Sequence, residues 1–185
     1  MATLLAFSQC SGNNAQVSSQ NGGNATSGLR IAYIEIDSLL ANYNFATDIN
    51  EMMIKKEENI RTTLNEKAKK LDAEAKEFQR KLDNNGFVSQ ERAQQEYNRI
   101  QKQQAELQEL QQKLSDEFAL ENQKNSLELQ DSIKAFLKTY NQEKGYDFII
   151  SNSGFDNLLY ANPAYNITGE IIEGLNKQYA PAGKK

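Results

Sequence analysis

Between Ala46 and Lys144 the chain runs for nearly a hundred residues without a proline, interrupted once, at Asp83-Asn84-Asn85-Gly86-Phe87-Val88-Ser89. Asn85-Gly86 supplies a left-handed helix stop, and Ser89 is a good N-cap for a new helix. The segment therefore reads as two long helices joined by a tight turn, an α-hairpin. At ~1.5 Å per residue the ~40-residue first helix spans about 60 Å, and the ~55-residue second is longer still. Such lengths exceed those of ordinary globular helices and predict a coiled coil.

The apolar spacing describes the quality of that pairing. Leu64, Ala68, Leu71, Ala75, Phe78 and Leu82 follow the alternating four-three steps of a heptad seam. Ile60, Leu64 and Ala68 take two steps of four, a local departure. In the second helix Ala93, Tyr97 and Ile100 keep the spacing, after which Gln104 and Gln111 are expected to alternate with Leu107 and Leu114. This predicts a thin, interrupted seam that bends and frays. Residues 46–85 carry nine Lys/Arg against nine Asp/Glu, and residues 89–144 carry eight against ten. Neither helix has one strong sign.

β character flanks the hairpin on both sides. Arg30 to Asp37 is rich in β-branched and aromatic residues, with Ala32, Ile34 and Ile36 on one face and Ile31, Tyr33 and Glu35 on the other. Asp37-Ser38 then offers cap chemistry for a short helix carrying Leu39, Leu40 and Tyr43. After the hairpin, Gly145 stops the long helix and residues 146–151 read as a strand. Ser153-Gly154 reads as a turn, and residues 157–161 as a paired strand. Thr168 is expected to cap a last helix with Ile171, Ile172, Leu175 and Tyr179 on one face. The fold class is thus α+β, a small β-rich body (residues 29–45 and 145–180) bearing a long antiparallel coiled-coil hairpin (46–144), with a tail at 181–185. About fifty body residues are too few to close a comfortable core. Self-association through Ile31, Tyr33, Ile34, Ile36, Phe148, Ile150, Leu159, Ile172 and Leu175 is the economical solution.

Residues 1–28 are of another kind. A short apolar run, Leu4-Leu5-Ala6-Phe7, leads through Ser8-Gln9 to Cys10, followed by a Gly/Ser/Asn/Gln-rich uncharged stretch that reads as a flexible tether. This is similar to the end of a bacterial lipoprotein signal, in which a lipid on Cys10 would tether the protein to a membrane. Gln9 stands where a small residue is usual, and no basic n-region precedes Leu4. The alternative is an unmodified cysteine in a tail.

The residue inventory excludes much chemistry. Histidine is absent, so a Ser-His-Asp triad, a Cys-His pair and a His-containing zinc site are impossible. One cysteine forms neither an intrachain disulfide nor a thiolate zinc cluster. With 21 Lys+Arg against 25 Asp+Glu and no basic tract, nucleic acid is not the expected partner. Glu57, Glu58, Asp72 and Glu74 lie on a predicted solvated helix, not in a cleft suited to acid/base work. No glycine-rich phosphate loop exists. Asn24-Ala25-Thr26 and Asn166-Ile167-Thr168 match a short, common glycosylation pattern, the second reading better as a turn before a helix cap. The expectation is a non-enzyme without metal or cofactor.

Gly145-Tyr146-Asp147-Phe148-Ile149-Ile150, Leu158-Leu159-Tyr160-Ala161-Asn162-Pro163, Asn166-Ile167-Thr168, Ile171-Ile172 and Leu175-Asn176 follow in order around a proline-free hairpin. With the opening strand Ile31-Ala32-Tyr33-Ile34 and the Gly86/Ser89 turn, they resemble the Skp/OmpH family of periplasmic chaperones over residues 29–179. That resemblance implies a homotrimer whose three hairpins extend as tentacles around a cavity. It also implies ATP-independent holding of unfolded outer-membrane β-barrel proteins. The best-known members are strongly basic, whereas this chain is acidic, so apolar contact is expected to dominate capture. Met52, Met53, Phe87 and Val88 are the candidate client contacts, since Met adapts to varied partners and the last two sit at the predicted tip. The competing reading packs the Met cluster, with Ile54, between helix and body, and Phe87 within the tip. Tyr97, Phe118 and Phe136 are assigned to seam or core. Two other functions stay open: a lipid-anchored structural coiled-coil spacer of the envelope, which would favour a tighter seam, and a prefoldin-like cytosolic chaperone, which leaves the match over residues 146–176 unexplained.

Overall fold

The computed structural model describes residues 28–154 and 158–180. Cys10, the tether and the tail at 181–185 lie outside them. In chain order the elements are β1 (Ile31–Glu35), α1 (Ile36–Asn42), α2 (Asn44–Asp83), α3 (Gln90–Lys144), β2 (Phe148–Asn152), a 3-10 turn (Pro163–Tyr165) and α4 (Thr168–Gln178). β1 and β2 pair in parallel, from Ile31 opposite Phe148 to Glu35 opposite Asn152. Parallel pairing needs a long crossover. Here the whole hairpin is that crossover.

The hairpin ends as the sequence predicts. Asn85 takes the left-handed conformation (φ 48°), and the Gly86 N–H donates to the Lys81 carbonyl at 2.7 Å. The Ser89 hydroxyl accepts from the Arg92 N–H at 3.3 Å. Gly145, at φ 66°, closes α3. At about 1.5 Å per residue the arm reaches about 60 Å in α2 and about 80 Å in α3, from helices of 40 and 55 residues.

Three sequence expectations are corrected. Residues 158–161 form no ladder. The free side of β1 is met instead by a single bridge from Tyr33 to Asn166, with the Ile167 N–H on the Tyr33 carbonyl at 3.0 Å. The position a third strand would take is therefore occupied, and Pro163 bends the approaching chain into the 3-10 turn. Secondly, α1 begins at Ile36 with no side-chain cap, so Asp37 lies in the first turn, where its charge favours the helix dipole. At α4 the capping acceptor is the Asn166 side chain, which takes the Thr168 N–H at 2.9 Å. Thr168 uses its hydroxyl to accept from the Glu35 N–H. Thirdly, the seam of α3 runs through Ile100, Gln103, Leu107, Leu110 and Leu114, while Gln104 and Gln111 face solvent. A three-residue step after Ile100, in place of four, moves Leu110 inward and leaves one glutamine in the seam.

The main core cluster sits where the body meets the adjoining ends of α2 and α3. Ala32, Ile34, Leu39, Tyr43, Ala46, Ile167, Ile171 and Leu175 form one cluster, flanked from α3 by Leu129, Ile133, Phe136, Leu137 and Tyr140. Asparagine side chains satisfy the backbone where elements meet. Asn176 accepts from the Asn44 N–H (2.8 Å) and donates to the Asn42 carbonyl (2.9 Å), clamping the α1–α2 junction. Asn141 holds both backbone groups of Tyr146 beyond the end of α3.

Candidate functional site

Among the described residues, three apolar surfaces stand out. The first is the sheet. In-register residues share a face, so Ala32 with Ile149 and Ile34 with Ser151 point toward the helices, while Ile31 with Phe148 and Tyr33 with Ile150 point away. Of the outward set only Tyr33 is buried; Phe148 is 56% exposed, and Ile31 and Ile150 are exposed as well. Leu159 and Tyr160 are each 83% exposed. The predicted body residues thus divide by role. Ile34 and Leu175 belong to the protomer's own core, and Ile36 and Ile172 are half-buried against it. Ile31 and Ile150 are about a third exposed, and Phe148 and Leu159 more than half.

The second surface lies where the arm leaves the body. Phe45, Ile49, Met52 and Tyr179 line a groove of about 620 Å³ with Asp48, Glu51 and Lys55 at its rim. Tyr179 donates to Asp48 at 2.8 Å, and burial followed by that bond pushes its hydroxyl up to about 12. The two methionines part company here. Met52 is 43% exposed in the groove, whereas Met53 is 8% exposed and its sulfur accepts from buried Asn125 at 3.3 Å. Met53 is a seam residue.

The third surface is the tip. Phe78 packs against Phe87 with ring centroids 5.5 Å apart and against Tyr97 at 6.2 Å, so Phe87 is half-buried in an aromatic cluster. Val88 beside it is 97% exposed. Met52 and Phe87 are separated by some 30 helical residues, about 45 Å along the arm, and are not brought together.

Charged groups between these surfaces make pairs, not a reactive centre. Arg99 bridges from α3 to Glu74 on α2 at 2.7 Å and to Glu96 on its own helix at 2.6 Å. The Arg99 hydrogen bond holds both carboxyls below the usual carboxylate range. Lys56 pairs with Glu121 across the hairpin nearer the body. In the body, Lys144 and Tyr140 both donate to Glu170, at 2.7 and 2.8 Å. Lys144 first and Tyr140 second lower that carboxyl, while burial chiefly and Glu170 next raise the Tyr140 hydroxyl. Among the described residues no group of acidic residues is arranged to hold a metal ion, and no helix is long and apolar enough to cross a membrane. The Arg99 pairs and the Asn125–Met53 contact were not foreseen. Only the correct α3 frame, with Gln103 inward, would have aligned them.

A small α+β body carrying a single long helical hairpin defines a class by architecture, the hairpin-armed proteins. Residues 30–175 match the OmpH-like outer membrane protein family, and the chain belongs to that family. A crystal structure described as an OmpH-like outer membrane chaperone from Caulobacter crescentus CB15 shares the fold, with a TM-score of 0.72 at 15% sequence identity, over 95% of this chain and 92% of that one. No curated protein is similar enough to match.

Proposed function

We propose that this protein is a periplasmic, ATP-independent holdase that binds unfolded outer-membrane β-barrel proteins between the helical arms of a homotrimer. One observation carries the reading: a parallel two-stranded sheet, open on its outer face, from which an arm of some 60 Å or more projects. Parallel strands are normally covered on both faces, so exposed Ile31, Phe148 and Ile150 call for other copies of the body. Joining bodies gathers arms around one space. Many weak contacts on several arms then retain a client without nucleotide, by multivalency.

Near-balanced arm charge favours apolar capture and enclosure over long-range attraction. The test is suppression of aggregation of an urea-unfolded outer-membrane β-barrel protein, without nucleotide, with the mass of the assembly followed by light scattering. Protection is expected to persist from low salt to about three times physiological strength while the assembly persists, because apolar contacts are not screened. Charge-driven capture would instead weaken as the Debye length shrinks from ~8 Å at physiological strength to roughly half. Replacing Met52, Phe87 and Val88 by Ser is expected to weaken holding with the assembly intact, whereas Met53→Ser acts by loosening the arm. Loss of protection with salt from an intact assembly, together with survival of the three substitutions, would overturn apolar capture. A wild-type monomer at micromolar concentration, or an assembly indifferent to Ile150→Asp, would overturn the trimer. A membrane tether through Cys10 is proposed separately: Cys10→Ser is expected to move the native protein from the detergent phase to the soluble fraction, and an unmodified intact mass removes the tether alone.

A further inference from the structure

The most exposed large apolar residues of α3 are Leu120 and Leu127, at 69% and 53%. Each follows a seam position by two residues, Leu120 after half-buried Phe118 and Leu127 after buried Asn125. Two residues are about 200° of helix, so both leucines face away from α2. Toward the body, in steps of seven, the same column of the helix passes through Lys134 and Asn141. Residues so spaced stay within ~20° of one another per step.

The root of that column fixes which way it faces. Lys134 and Asn141 border a shallow groove between α3 and β2, shared with Leu137 and Ile149. Ile149 belongs to the sheet face turned toward the helices, and Phe148 and Ile150 to the face turned away. The sheet therefore lies over this side of α3, with its open face farther out. Leu127 stands about 10 Å farther along the arm than Lys134, and Leu120 about 10 Å beyond that. Their exposure shows both clear of the sheet. Assembly through the open sheet faces, as proposed above, sets those faces at the centre, and this side of α3 then looks toward the centre too. The leucine pair stands on the inner wall of the space between the arms.

Its surroundings decide what it meets there. A second arm zipped onto it would need two apolar positions in every heptad. The column offers one, over two heptads, and Lys113 and Lys134 end it on either side. That is too little for a standing seam between arms. Nor does charge select a ligand. Leu120 borders a shallow groove of about 280 Å³ edged by Lys56, Lys124, Glu117 and Glu121, with Lys56 paired to Glu121. On the adjoining turns exposed Asp116 and Asp131 accompany Lys113 and Lys134, so the two signs stay in balance. We infer that Leu120 and Leu127 are client contacts, and that their occupant is an apolar stretch of the unfolded β-barrel protein, held loosely against α3 from within. The inference rests on the holdase reading and specifies which helix face does the holding.

The test repeats the aggregation assay with Leu120→Gln and Leu127→Gln together in the full chain, a change that keeps helix propensity near that of leucine. The concentration giving half-protection is expected to rise about fivefold or more, with assembly mass and helix content unchanged. Leu120→Met with Leu127→Met is expected to protect like wild type, since Met is apolar and adaptable. A glutamine variant that protects like wild type would overturn the inference and leave holding standing. One that loses its assembly would place the leucines between copies and overturn it too. A wild-type protein without protection would overturn holding itself. A benzophenone amino acid at position 127 is expected to link to the client under light. One at position 62 is not, because Thr62 is exposed and lies half a turn round α2 from buried Met53. Links from position 127 to another arm in place of client, or equal client links from both positions, would overturn the assignment.

Discussion

Replacing Gly174 by alanine sets two effects of opposite sign against each other. Gly174 lies inside α4, where alanine is favoured over glycine by about 1 kcal/mol of helix propensity. A β-carbon there would stand 2.3 Å from Cζ of Phe136, 2.9 Å from Cε2 and 3.3 Å from Cε1. Carbon atoms rest at about 3.5–4.0 Å, so the ring must retreat by roughly 1 Å or more. It has little room to do so, being half-buried, stacked on Tyr140 at 6.0 Å between centroids and packed against the core. Overpacking of this kind costs about 1–3 kcal/mol. Less the propensity gain, Gly174→Ala is expected to destabilise by about 1 kcal/mol. With Phe136→Leu the obstruction is gone, and the same alanine is expected to stabilise by up to about 1 kcal/mol. Urea unfolding at one fixed protomer concentration, followed by circular dichroism, measures all four corners of the cycle. An alanine that stabilises the Phe136 protein, or that has the same effect in both backgrounds, would refute the argument.

Glu170 makes the α3–α4 contact sensitive to acid. Its folded value lies below the ordinary 4.5 because of Lys144 and then Tyr140, so the unfolded chain takes up the proton first. The contribution is full above the unfolded value and is lost as pH falls through the folded one. Urea midpoints measured between about pH 6 and 3 are expected to fall less steeply in Glu170→Gln. Asn125→Leu is expected to stabilise the arm by about 1 kcal/mol, since the buried amide has only a thioether as partner and sulfur is a weak acceptor; an unfolding midpoint below wild type would count against this. Asn176→Ala removes both bonds that clamp the α1–α2 junction. It is expected to cost about 1–2 kcal/mol and to speed hydrogen exchange at the Asn44 amide.

The hairpin was legible because its signals are local: absence of proline, an Asn-Gly stop, a serine cap. So were the flanking strands, from their β-branched runs. Apart from the helix caps, the failures depend on distant partners. Residues 157–161 carry strand composition, yet the side of β1 that would accept them is taken by Asn166 and Ile167, and nothing in the segment itself records that. The α3 frame slipped because Gln103 and Gln104 are equivalent by composition, and Arg99 reaching back to Glu74 marks the register only when both helices are seen together. Among the candidate contacts, adjacent Met52 and Met53 differ only in which side of α2 each occupies. The asparagines whose side chains act at element junctions, Asn141, Asn166 and Asn176, have no signal of their own. In sequence they read as turn formers, and what they do depends on which backbone groups the fold brings to their amides.

Where burial is concentrated decides what stays fixed and what yields. Leu39 and Ile171 are fully buried, and their neighbours in the body bind β1, α1 and α4 into one unit. Beyond Ala46, the buried residues of the two long helices are Met53, Ile100 and Asn125 alone. Between these points the seam is half-buried, mostly leucine with Ile60, Phe118 and one glutamine, and near Leu71 and Leu107 it leaves a gap of about 150 Å³. A hairpin so held loses little when it bends, because few fully desolvated contacts must be broken. The body cannot bend in this way without opening its core. Compliance in the arm and rigidity at its root are therefore consequences of one distribution of apolar residues. In the holdase proposed above, an arm of this kind adjusts to its client while the core at its root stays closed.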